Sequence, residues 1–138
     1  MLDQRIGLPT VLAPSTMHYS WPKAASLLGL GQDNLLTVEV DLEARAKLGH
    51  RKEILQRCKK EMRPVILDVA VLGSTELSSV DPLASMLALR DRFARDNFFY
   101  PVHVDAAWGG VLRGDAPVDG ERRRNRGVRQ GVHHPPTS

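Results

Sequence analysis

His103 and Asp105 stand two residues apart at the end of an apolar run, FYPVHVD (Phe99 to Asp105). Side chains alternate between the two faces of a strand, so this histidine and aspartate share one side and Val104 takes the other. An imidazole and a carboxylate placed this way suit half a metal site, a general acid and base, or a plainer arrangement in which Asp105 caps the following helix. Spacing alone leaves all three open, and the cap is the plainest of them. His18, beside Tyr19 and Ser20, poses the same question at a helix start, where a lone histidine is more often structural than catalytic. Lys23, inside that helix start, reads as a solvated charge, Trp108 as packing, and Glu76 as a solvated loop carboxylate. Gly109 and Gly110 read as residues that permit a close turn. Cys58 is the single cysteine, so the chain builds neither an internal disulfide nor a CxxC metal site. Flanked by Arg57, Lys59 and Lys60, it is expected to be an inert surface thiol.

The elements that must position these residues follow from periodicity. Val11 to Ala13 is a short apolar run before Pro14. Ser20, Trp21 and Pro22 form a helix start, because proline is tolerated in the first turn, and the helix runs to about Leu28 before Gly29 and Gly31. Leu35 to Val40 (LLTVEV) predicts a strand, and Ile54, Leu55 and Cys58 at helical spacing predict a helix over Lys52 to Met62. Pro64 to Leu72 (PVILDVAVL) is nearly continuous apolar sequence, the pattern of a parallel strand covered on both faces, interrupted by Asp68. Pro82 opens a helix whose stripe includes Leu83, Met86, Leu87 and Leu89 to Phe93, and Phe99 to Val104 predicts the last strand. Strands alternating with helices at these lengths specify an α/β fold with a mostly parallel sheet. Ligands in such sheets sit beyond the carboxyl ends of the strands, where Gly73 to Glu76 and Asp105 to Gly109 both fall.

A chain of 138 residues with 42% hydrophobic content suits one domain with a real core. No stretch approaches the roughly 18 apolar residues of a membrane span, and the first twenty lack a signal-peptide pattern; the expectation is a cytoplasmic protein with no membrane partner. The net charge of +3 resides in the tail: Leu112 to Ser138 carries six arginines against Asp115, Asp119 and Glu121, while residues 1–111 balance 13 basic against 13 acidic side chains. The chain therefore divides into 1–111, a folded domain, and 112–138, an Arg/Gly/Pro-rich tail expected to be disordered. A basic run over Arg122 to Arg129 is common without a nucleic-acid role, and no nucleic-acid partner is expected.

Three segments, HYSWPKAA (His18 to Ala25), LGSTELSSVDP (Leu72 to Pro82) and HVDAAWGG (His103 to Gly110), occur in the order and approximate spacing of one family. From about Val11 to Gly110 the chain resembles the group II pyridoxal-phosphate-dependent amino-acid decarboxylases, most closely the bacterial tyrosine decarboxylase branch, with glutamate decarboxylases more distant. The resemblance implies part of the large domain of a fold-type I pyridoxal enzyme, a mostly parallel sheet flanked by helices, in a homodimer. It implies pyridoxal 5'-phosphate as cofactor, decarboxylation of an amino acid as activity, and an aromatic amino acid such as tyrosine as the favoured substrate. By the same resemblance His18 stacks on one face of the pyridine ring and also serves catalysis near the substrate carboxylate. Ala107 packs on the other face, Asp105 pairs with the ring nitrogen, and Thr75 orients that aspartate or the cofactor. A carboxylate beside the nitrogen favours the charged pyridinium by roughly 1 to 3 pKa units.

Such an enzyme also needs a lysine amine to hold the cofactor, and in the family that lysine follows the HVDAA aspartate. Here the lysines are Lys23, Lys47, Lys52, Lys59 and Lys60, all upstream, and arginine cannot substitute because it stays protonated. The Ser/Gly-rich phosphate-binding segment is also not found. The expectation is a truncated fragment, catalytically incomplete by itself, with apolar sheet edges left uncovered. The alternative reading is a non-catalytic chain that binds cofactor weakly or pairs with a full-length relative.

Overall fold

A computed structural model of the chain describes residues 7–74 and 78–109. Strand β1 (Thr10–Pro14) leads into helix α1 (Ser20–Leu27), a 3-10 turn (Gln32–Asn34) and β2 (Leu35–Val38). Helix α2 (Leu48–Lys60), β3 (Val65–Val71), α3 (Leu83–Arg95) and β4 (Val102–Asp105) follow. The four strands form one sheet in the order β2-β1-β3-β4, every pairing parallel. The expected α/β class and parallel sheet flanked by helices are therefore present.

The strand order dictates the layers. From β1 the chain crosses to β2 on one side, then returns past β1 to place β3 and β4 on the other. Right-handed crossovers in opposite directions put their helices on opposite faces. Accordingly, Ala25 and Trp21 of α1 pack with Val11, Ala13, Leu35, Val69 and Val71 on one face. Ile54, Leu55 and Cys58 of α2 and Leu89 and Phe93 of α3 pack with Leu12, Val38 and Val65 on the other. The carboxyl ends of β1 and β3, between which the direction of travel reverses, form the topological switch point where open α/β sheets hold ligands.

Element ends differ from the sequence reading for identifiable reasons. Strand β2 stops at Val38, because its partner β1 ends at Pro14, register-paired with it, and Val40 instead forms a lone antiparallel bridge to Ala46. Helix α2 begins at Leu48 rather than Lys52, a turn hidden in the sequence by Gly49 and polar neighbours. It ends before Met62, whose φ of 52° takes the chain out of the helix while Arg63 N–H donates to Cys58 O at 2.9 Å. Strand β4 begins at Val102 rather than Phe99. The aromatics before it are spent on packing instead: Phe98 and Tyr100 stand against Phe93 with ring centroids 5.7 and 6.1 Å away.

One residue corrects the sequence reading, and a second gains a partner that the sequence did not show. Cys58 is not a surface thiol but fully buried on the inner face of α2, and that burial pushes its thiol pKa up. Its charged neighbours mislead because they occupy the other faces of the same helix. Asp68, which interrupts the apolar run of β3, is also fully buried and forms an ion pair with Arg51 of α2, equally buried. Burial raises the Asp68 carboxyl to about 6 against the opposing pull of Arg51. The expected tail at 112–138 lies outside the described residues, as do Thr75, Glu76 and Gly110.

Candidate functional site

The cleft at the switch point is built from three strand ends. After β1, Ser15 N–H donates to Val38 O at 2.9 Å and Met17 N–H to Pro14 O at 2.9 Å, turning the chain so that Thr16 and His18 face the cleft. The His18 ring is held through Nδ1, which lies 2.9 Å from Ser20 Oγ and accepts the Ser20 backbone N–H at 3.3 Å. With Nδ1 accepting, the neutral ring carries its proton on Nε2. The Tyr19 ring lies beside it at 4.0 Å between centroids, tilted by 42°.

After β3, Gly73 adopts a φ of 83° and its N–H donates to Ser79 O at 2.8 Å, while the Ser74 and Ser79 hydroxyls meet at 2.9 Å. Buried Asp81 fastens this loop to the sheet: its carboxylate accepts the Val71 N–H and the Ala46 N–H, each at 2.8 Å. After β4, Gly109 N–H donates to Leu72 O at 3.1 Å and brings the two loops together. A β-carbon on Gly73 would stand 2.9 Å from the Gly109 backbone, and one on Gly109 would collide with the Leu72 carbonyl. The expected close turn at Gly109 is thus an approach of two backbones that neither residue could make with a side chain.

His18, Asp105 and Ala107, three of the four residues proposed from the sequence, line this one cleft together with Thr16, Ser20, Val71, Gly73, Ser74 and Trp108. The fourth, Thr75, falls outside the described residues. The cleft has a volume of about 130 Å³, close to the roughly 150 Å³ that admits a benzene-sized ring in an engineered cavity. Trp108 is 68% exposed at its rim rather than packed, which corrects the sequence reading. Lys23 is a solvated charge as expected, its Nζ 4.8 Å above the Tyr19 ring.

Asp105 has two partners within the described residues. Its Oδ1 accepts the Ala107 N–H at a long 3.4 Å, a weak form of the cap expected from sequence. Its Oδ2 accepts a 2.9 Å hydrogen bond from Nε1–H of Trp21, whose indole also meets the exposed His103 ring edge-on, 5.7 Å away. His103 and Asp105 thus share a side, as strand alternation predicts. No group of three or more His, Cys, Asp or Glu that could hold a metal occurs among the described residues. Trp21 was read only as a helix opener; its partner is 84 positions away, and no local signal marks it. Thr16 was missed altogether, yet its hydroxyl is buried at the cleft with no hydrogen-bond partner among the described residues.

A larger hollow of about 540 Å³ lies between α2 and α3, lined by Lys52, Lys59, Lys60, Arg92 and Arg95 among others. It holds none of the residues singled out for chemistry, so volume is a poor guide here.

Residues 4–114 match the sequence profile of the pyridoxal-dependent decarboxylase conserved domain. The chain belongs to the pyridoxal-dependent decarboxylase family. Within the family it is 43% identical over 102 residues to the L-tyrosine decarboxylase of Enterococcus faecalis, an alignment covering 74% of this chain and 16% of that protein. It is 37% identical to the L-tyrosine decarboxylase of Levilactobacillus brevis, covering 80% of this chain and 17% of that one. The chain therefore spans about a sixth of the length of these curated relatives. Its fold matches the crystal structure of mouse CSAD in apo form with a TM-score of 0.69 at 30% identity, over 76% of this chain and 21% of that one. A tryptophan decarboxylase of Catharanthus roseus, solved in complex with L-tryptophan, shares the fold with a TM-score of 0.62 at 18% identity, over 72% of this chain and 21% of the other. Pyridoxal phosphate is thus the cofactor of the family, and amino-acid decarboxylation its chemistry. No helix among the described residues is long and apolar enough to cross a membrane.

Proposed function

We propose that this chain forms the ring-holding part of a cytoplasmic, homodimeric amino-acid decarboxylase in which His18, Ala107, Asp105 and Thr75 hold pyridoxal phosphate. An aromatic substrate such as tyrosine is favoured over glutamate, on the 43% and 37% identities to two tyrosine decarboxylases. The observation that carries the reading is the convergence of His18, Asp105 and Ala107 on one ring-sized cleft at the switch point. Asp105 Oδ1, with only the long Ala107 contact, retains capacity to accept from a pyridinium N–H. The unpartnered Thr16 hydroxyl marks a place where a polar ligand atom belongs.

When bound, pyridoxal phosphate supplies a cationic heteroaromatic ring that takes up the electron pair released as the bond between Cα and carboxylate breaks. Asp105 keeps the ring nitrogen protonated, and each 1.4 kcal/mol or so of that stabilisation is worth about tenfold in rate. His18 would cover one ring face and stand near the substrate carboxylate, while the small Ala107 would let the other face approach the chain closely. Thr75 orients Asp105 or the cofactor.

A second reading is favoured by the lysines. Lys47 pairs with Glu39, Lys59 with Asp96, Lys23 lies over Tyr19, and Lys52 and Lys60 line the α2/α3 hollow. None lines the cleft, which suits a chain that holds the cofactor without completing the reaction alone. Mixing the purified chain with pyridoxal phosphate and then borohydride separates the two. Saturable cofactor absorbance that dialysis removes after borohydride supports the second reading; a stoichiometric adduct that peptide mapping assigns to one lysine, rather than scattered over several, refutes it and supports the first. Absence of saturable binding refutes both.

A further inference from the structure

We propose that Trp21 is a positioning residue for the cofactor site, its indole N–H selecting which Asp105 oxygen meets the ring nitrogen and fixing the gap between that oxygen and His18. The inference rests on the reading of Asp105 as the nitrogen's partner. Trp21 touches both sides of the cleft without lining it. Its backbone N–H donates to His18 O at 3.1 Å, which ties it to the turn that carries the imidazole. Its Nε1–H donates to Asp105 Oδ2 at 2.9 Å, on the same face of the sheet at the end of β4. Edge-on contact with His103, at 5.7 Å and 67°, holds the indole from a third direction.

An indole nitrogen only donates. It therefore claims one carboxylate oxygen as acceptor and leaves Oδ1, with its 3.4 Å contact to Ala107, as the oxygen free to take a second strong donor. Without this strut the carboxylate is free to sample its other staggered rotamers. The role is more than packing, because any ring of similar size fills the space against Val11, Ala13 and Val69, whereas only a donor at Nε1 sets the carboxylate.

The test compares pyridoxal phosphate with its analogue in which carbon replaces the ring nitrogen, titrated calorimetrically into the full chain. Two variants are used: Trp21→Phe, and Trp21 replaced by benzothienylalanine, which keeps the bicyclic shape and swaps N–H for sulfur. Thermal unfolding identifies any variant that does not fold, and the benzothienyl variant then decides. The unsubstituted chain is expected to prefer pyridoxal phosphate, and both variants to lose roughly tenfold of that preference, the worth of one hydrogen bond to a charged group. Affinity for the carbon analogue should change less than about twofold, since that ligand makes no use of the aimed oxygen. A variant that folds and keeps the full preference overturns the inference while the Asp105 reading survives. No preference in the unsubstituted chain overturns the Asp105 reading itself and the inference with it.

Discussion

The imidazole of His18 is constrained by Ser20 at Nδ1 and by the neighbouring Tyr19 ring, so its plane is set before any ligand arrives. Stacked aromatic pairs contribute about 0.5–1.5 kcal/mol beyond burial, which makes His18→Ala roughly two- to tenfold weaker for pyridoxal phosphate. His18→Phe, which restores a stacking surface without Nε2–H, should recover most of that affinity in an equilibrium absorbance titration. Equal weakening by both substitutions would show that stacking is not what the ring contributes. The three residues that line one cleft, His18, Asp105 and Ala107, were singled out by resemblance through the short motifs HYSWPKAA and HVDAAWGG. Trp21 lies within the first motif, but its role depends on a carboxylate in the last, and contacts over such separations leave no periodicity to read. Thr16 was illegible for another reason: an unsatisfied buried hydroxyl is a property of packing, not of sequence.

Elements built from strong periodicity emerged near their predicted bounds. The continuous apolar run of β3 and the stripe of α3 are examples, since a parallel strand or an amphipathic helix must bury those side chains. Their ends were less legible because partners set them: Pro14 limits β2, and the Phe93, Phe98 and Tyr100 cluster withdraws three residues from β4. The link between α2 and β3 was missed because an arginine on a polar helix and an aspartate in an apolar strand each look like exceptions alone. Together they neutralise one another, though Arg51 Nε and Asp68 Oδ2 remain without partners among the described residues. Burial pushes the Asp68 carboxyl up to about 6 in the folded chain, from the ordinary aspartate value of 3.8. The folded state thus holds that proton more tightly, and the associated stability is complete below about pH 4 and lost as pH rises through 6. The loss amounts to about 3 kcal/mol at most, for a shift of about two units. The double substitution Arg51→Met with Asp68→Leu should flatten this fall in denaturant titrations between pH 4 and 7. At pH 7 it should cost less than Arg51→Met alone, which leaves a buried carboxylate unpaired. An unchanged pH slope in the double variant would assign the effect to other groups.

Across the whole molecule, strand order does the work of assembling the site. Reversal between β1→β2 and β2→β3 opens the crevice, opposed glycines draw two of its loops together, and Asp81 secures one of them to the sheet. The parallel sheet was legible from alternating strand and helix patterns, whereas the order β2-β1-β3-β4 was not, because parallel partners are chosen by helix packing on both faces rather than by local sequence. Everything functional converges on whether Asp105 meets a ring nitrogen in that crevice. The most direct measurement is the nitrogen-15 chemical shift of ring-labelled pyridoxal phosphate bound to the chain at neutral pH, compared with the same complex of Asp105→Asn. A pyridinium shift that moves toward the unprotonated value in Asp105→Asn is the predicted result; an unprotonated nitrogen in the original chain, or a shift indifferent to the substitution, would contradict it.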